Sequence, residues 1–124
     1  MADFKLAPVK AKFADIIWEN APIMSPELVK LCEKELNWKK STTYTELREL
    51  CHRGLFKNEK ALVSTLITKD EFYAGHSRQY VTETFGGSLP RFLTAFISES
   101  PLTENQVKEI ESIIRKHVEG GKHG

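Results

Sequence analysis

Three short apolar stripes at helical spacing, followed at once by two short β-forming runs, constrain this chain more than any other feature. "APVKAKFADIIWEN" places Val9, Phe13, Ile16 and Ile17 at i, i+4, i+7 and i+8 on one helical face, with Pro8 suited to a first turn. "NAPIM" breaks the pattern. "SPELVKLCEKELNW" restarts it, with Ser25 as the expected N-cap, Pro26 at the first helical position and Leu28, Val29, Cys32 and Leu36 facing inward. A third helix is predicted from about Ser41 or Thr42 to His52, with Thr43, Leu47, Leu50 and Cys51 on one face and Gly54 as its stop. Helices this short are marginal alone in water and must pack on one another. "GLFKN" and "ALVSTLIT", joined across "NEKA", read as a hairpin. Three short helices and then a hairpin is the order of a winged helix-turn-helix.

The third helix begins unusually. In "NWKKSTTYTELRELCHRGLF" two lysines precede five hydroxyl-bearing side chains, although Ser and Thr compete for the backbone and weaken a helix. In a helix-turn-helix the second helix of the pair enters the major groove and meets DNA with its first turns. Small hydroxyls suit that position, because they donate to phosphate oxygens and a Thr methyl packs on a thymine methyl. The helix start adds free N–H groups and a positive dipole end. Lys39, Lys40, Ser41, Thr42, Thr45 and Arg48 are therefore the candidate DNA contacts. The same spacing admits a plainer reading, in which Ser41 and Thr42 only cap the helix and the lysines are solvated. Tyr44 either packs beside the wing or offers its hydroxyl to DNA.

Charge points to the same half of the chain. The net charge of +1 is no fingerprint of nucleic-acid binding. Residues 37–60, however, carry six Lys/Arg against three Glu, whereas residues 61–124 carry seven basic against eight acidic groups. An anionic partner should meet the first half. Lys57 and Lys60 charge the first strand and turn of the hairpin, but the second strand has no charge and need only cover the core.

From Lys69 the pattern stays helical, as "KDEFYAGHSRQYVTETF", then "SLPRFLTAFISES" after the glycines at 86–87, then "TENQVKEIESIIRKHV" opened by a capping box of Thr103 and Gln106. Phe72, Tyr80, Phe85, Leu89, Phe92, Leu93, Phe96, Ile97, Val107, Ile110 and Ile114 are more large apolar side chains than these helices can bury among themselves. A second copy of the chain is the simplest cover, so a homodimer is expected through those residues. The domains are then 1–68, a winged helix-turn-helix, and 69–124, a helical dimerisation region. His76, on an apolar face, reads as a satisfied buried or interface histidine.

Catalytic and cofactor classes find no support. The four histidines are scattered, Cys32 and Cys51 lack metal-ligand spacing, and no GxSxG, GxGxxG or Walker loop occurs. No enzyme, metal or cofactor is expected. No apolar run approaches the roughly 20 residues of a membrane span, and "MADFKLAPVK" lacks a secretory core, so the expectation is a cytoplasmic protein without membrane insertion.

From about Leu6 to His117 the chain resembles the penicillinase-repressor family of bacterial winged-helix regulators, the BlaI/MecI/CopY group. The resemblance rests on "IIWENAPIMSPEL", "LNWKKSTTYTELRELCHRGL" and "FGGSLPRFLTAFISESPLTENQVKEIESII". It implies a mainly α fold with a small β-hairpin, and a homodimeric repressor on a palindromic double-stranded DNA operator. By position, Lys39, Lys40, Ser41, Thr42, Thr45 and Arg48 take the DNA-contacting role, and Thr43, Leu47 and Leu50 the core. In the β-lactam-resistance branch a membrane sensor's protease pathway cuts the dimerisation region. That bond maps onto Ala95–Phe96, with Ala95 where the family usually has Asn. The copper-sensing branch carries a CxC-type tail, absent from "RKHVEGGKHG". Two other functions fit the same elements: a winged-helix module for protein–protein interaction, and a regulator whose dimer a small ligand opens among Phe72, Tyr73, Tyr80 and Phe92.

Overall fold

The apolar stripes fold as their spacing predicts. The computed structural model describes residues 4–121. Its elements are α1 (Pro8–Asn20), β1 (Ile23–Met24), α2 (Ser25–Leu36), α3 (Lys40–His52), β2 (Phe56–Glu59), β3 (Leu62–Thr65), α4 (Lys69–Phe85), α5 (Leu89–Glu99) and α6 (Glu104–Gly121). The chain is mostly helical with a small antiparallel sheet in the order β1-β3-β2, a winged helix followed by further helices. The third strand is not apparent from "NAPIM". It exists because Ile23 and Met24 pair with Val63 and Leu62 on the edge of the hairpin.

That pairing also corrects the start of α2. Met24, kept extended by its partner on β3, is the residue before the helix, and Ser25 is the first helical residue rather than the N-cap. Ser25 is buried, and its Oγ accepts a hydrogen bond from the Tyr44 hydroxyl at 3.2 Å. A serine ahead of Pro-Glu has the composition of a cap. Here the sheet takes that position, and the hydroxyl is used across helices.

Phe13, Ala14 and Ile17 of α1, Leu28 and Cys32 of α2, Leu47 and Leu50 of α3, and Leu55, Phe56 and Val63 of the hairpin form one core. Each large side chain removed from water there contributes roughly 1.5–3 kcal/mol. Val9, although in register with the α1 stripe, is exposed, since α1 begins only at Pro8. Trp18 stands against the Phe56 and Phe72 rings, with centroids 5.3 and 5.7 Å away, and its Nε1 donates to the Ile67 carbonyl.

Phe72 is the main correction to the expected interface. It is buried in the core of the winged helix, with its ring against Phe4, Trp18 and Tyr73, and has no surface left for a second chain. The first turns of α4 belong with the winged helix for this reason. The chain divides by contacts into a unit ending at Tyr80 and a unit beginning at Val81, so the boundary lies inside α4 rather than at its start. The helix opens on a reciprocal cap: Thr68 N donates to Glu71 Oε1, and Glu71 N donates to Thr68 Oγ1. The segment before α1 lies along it. Phe4 N donates to Gln79 Oε1, and His76 Nδ1 bonds the Phe4 carbonyl at 2.7 Å, which makes His76 a satisfied, half-buried histidine. Gly75 permits this approach, because a Cβ there would overlap the Phe4 ring.

Cys32 is fully buried, and burial pushes its thiol up to about 11, partly offset by a hydrogen bond with the Thr43 hydroxyl. A thiol so placed carries almost no thiolate at neutral pH. Alkylation with iodoacetamide at pH 8 should therefore leave Cys32 unmodified in the native chain and label it in denaturant. Native labelling would mean that the α2–α3 contact opens readily.

Candidate nucleic-acid interface

α3 starts without a side-chain cap. Lys39, extended at φ −74°, ψ 158°, is its N-cap residue, and no side chain bonds the first-turn N–H groups. The first bond of the helix start runs from Thr43 N to the Lys39 carbonyl at 3.0 Å, which leaves the N–H groups of Lys40, Ser41 and Thr42 without an intrahelical acceptor. The capping reading of Ser41 and Thr42 is thereby removed: both lie inside the first turn, past the cap position. Thr43 points the other way, fully buried, and its hydroxyl donates to the Lys39 carbonyl.

The other candidates divide by exposure. Lys39, Lys40, Ser41, Thr45 and Arg48 are exposed, and Thr42 is half-buried. Tyr44 is half-buried and turned toward α2, where Ser25 holds its hydroxyl. A cleft of about 250 Å³ runs between α3 and β2, lined by Tyr44, Leu47, Arg48, Cys51 and Asn58.

The charges are sorted by pairing. Lys10 of α1 meets Glu49 at 2.6 Å and Glu46 at 3.7 Å, while Lys57 meets Glu59 at 2.8 Å. The hydrogen bond from Lys10 holds the Glu49 carboxyl below its ordinary range and raises the Lys10 ammonium. All three acidic side chains of residues 37–60 thus have a lysine beside them. Arg53 donates to the Lys5 carbonyl. Among the described residues, Lys39, Lys40, Arg48 and Lys60 keep cationic groups with no acidic partner. Glu46 and Glu49, three residues apart on α3, share a face, and that much is readable from the sequence. Their partner on α1 is not. A helix start with free N–H groups, small hydroxyls and unpaired cations is equipped to hold phosphate oxygens and to reach base edges.

The second unit has a different surface. No described residue after Phe72 is buried. Phe85 and Phe92 meet edge to face at 5.7 Å, and Phe92 lies 6.1 Å from Phe96. Tyr80, Leu89, Phe96, Val107 and Ile114 are exposed; Phe85, Phe92, Leu93, Ile97 and Ile110 are half-buried. Ile113 and Val118 add to the exposed apolar surface of α6, and Ile113 falls outside the stripe read from the sequence. Ala95 and Phe96 lie well inside α5, both exposed. Among the described residues no group of His, Cys, Asp and Glu could hold a metal ion, and no helix is long and apolar enough to cross a membrane.

The family model described as penicillinase repressor matches residues 6–116 of the chain. No curated protein matches it.

Proposed function

We propose, from the premise that this chain belongs to the penicillinase repressor family, a family of DNA-binding regulators and not of enzymes, that it represses transcription by binding a palindromic operator as a homodimer. The observation that carries this reading is the uncapped start of α3, with Lys39, Lys40 and Arg48 unpaired beside exposed Ser41 and Thr45. α3 of each subunit enters a major groove. Lys39 and Lys40 take phosphates, and Thr42, Thr45 and Arg48 reach base edges. The wide apolar surface of α5 and α6 supports pairing through the second unit. Two heads so joined address half-sites about one helical turn apart.

Release is assigned to cleavage of the Ala95–Phe96 bond by a membrane sensor's protease pathway acting on a cytoplasmic repressor. Both residues are exposed, and a cut there divides the apolar strip of Phe92, Leu93, Phe96 and Ile97. A helical bond fits no extended protease cleft, so α5 must open locally before cleavage.

Gel shifts on duplexes selected from a random pool test the reading. Affinity should fall steeply with salt. Lys40→Ala should weaken all sequences about equally and lower the salt slope by about one, whereas Thr42→Ala should relax preference at one position per half-site. Equal losses on every sequence for both variants would remove the base-reading role of Thr42. No binding at low salt would remove the proposal.

A further inference from the structure

Tyr44 stands among the candidate DNA contacts, yet its hydroxyl is engaged elsewhere. It donates to Ser25 Oγ at 3.2 Å, and Ser25, itself buried, donates its backbone N–H to the Ala61 carbonyl at 2.7 Å. A continuous path therefore runs from α3, through the first residue of α2, to the turn of the hairpin. That turn is Lys60–Ala61, with φ of +51° and +65°. A two-residue hairpin turn with both residues left-handed favours Asn-Gly, because side chains crowd the backbone there. Lys and Ala persist in such a conformation only where the surroundings fix it. The Ser25 N–H on Ala61 and the pairing of Met24 with Leu62 are those surroundings. What the turn presents is Lys60, exposed and without an acidic partner, whereas Lys57 is occupied by Glu59.

The geometry points to Tyr44 and Ser25 as positioning residues, which hold the wing turn in register with α3 so that Lys60 and the helix start meet the same duplex. This rests on the DNA-binding reading above. The ligand of Lys60 is a backbone phosphate flanking the bases that α3 reaches, since a lone lysine on a turn supplies charge and no sequence information.

The test is a double-mutant cycle on the full chain. Its probe is the duplex that the wild-type chain enriches from a random-sequence pool, at a temperature where every variant is folded. Lys60→Ala should weaken binding several-fold and lower the salt slope by about one. Tyr44→Phe, which keeps the ring, and Ser25→Ala, which breaks the same bond from the other side, should each weaken binding by a similar factor. Adding Lys60→Ala to either should cause no further loss, because an unregistered wing has no contact to lose. A merely structural role would leave the effect of Lys60→Ala unchanged. The same loss from Lys60→Ala in all three backgrounds, or none in the wild type, overturns the inference and leaves DNA binding standing. A pool from which the wild-type chain enriches nothing overturns both.

Discussion

Replacing Phe72 with alanine should lower the unfolding free energy of the winged helix by about 3–5 kcal/mol, among the larger effects available to a single substitution. The ring is 1% exposed and sits 5.8 Å from Phe4, 5.7 Å from Trp18 and 5.3 Å from Tyr73. Removing it leaves a cavity lined by rings, and aromatic rings relax poorly into empty space. Trp18 would lose a neighbour while its Nε1 stays tied to the Ile67 carbonyl, so the connection from the hairpin into α4 loosens as well. Domains of this size have roughly 5–15 kcal/mol in total, and the melting temperature should drop by more than about 10 °C. Thermal unfolding at several protein concentrations separates the possible roles. A core residue lowers the transition by the same amount at every concentration. An interface residue would lower it more in dilute protein, because association with a second copy adds stability by mass action. A concentration-dependent loss would return Phe72 to the interface that its sequence position suggested.

How Phe72 came to be misplaced shows which parts of this fold are local. The stripes of α1, α2 and α3 are visible because each helix repeats its apolar positions against one core, and Phe13, Ile17, Leu28, Cys32, Leu47 and Leu50 all lie where periodicity puts them. The capping box at Thr103 and Gln106 is local too: Thr103 N donates to Gln106 Oε1, and Gln106 N to Thr103 Oγ1. Phe72 has no such local signal. It occupies the same helix as Tyr80 and Phe85, and only the return of α4 onto Trp18 and Phe4 separates its fate from theirs. β1 was invisible for a related reason. Two residues have no period, and the strand forms only because β3 has an edge to fill. Within the candidate interface, residue types and exposure were legible, since hydroxyls at a helix start are locally unfavourable and stand out. The partner of each group was not. Nothing in "TYTELREL" says that Lys10 neutralises Glu46 and Glu49, or that Tyr44 bonds a serine nineteen positions earlier.

The second large effect should come from the unit beginning at Val81, and it should leave the winged helix untouched. Phe96→Asp combined with Ile114→Asp places two carboxylates on faces that are 51% and 53% exposed in the single chain. Neither substitution removes a buried contact, so the protomer should keep its near-ultraviolet spectrum and the melting transition of its winged helix. A homodimer built on those faces would have to desolvate four unpaired carboxylates, a penalty of several kcal/mol that exceeds the gain from the apolar surface around them. Sedimentation should then report a single chain at concentrations where the wild type is paired. The consequence for DNA is larger than for stability. Two linked heads bind the second half-site at an effective concentration set by their tether, and uncoupling them should weaken binding to a palindromic site by about 10²–10⁴-fold. Binding to an isolated half-site should not change, because α3 and its lysines are the same in both proteins. That contrast is the measurement: a large loss on the palindrome with none on the half-site. Equal losses on both would place the damage in the winged helix. A variant that still sediments as a dimer would mean that pairing uses some other surface, and the exposed apolar side chains of α5 and α6 would then need a different occupant.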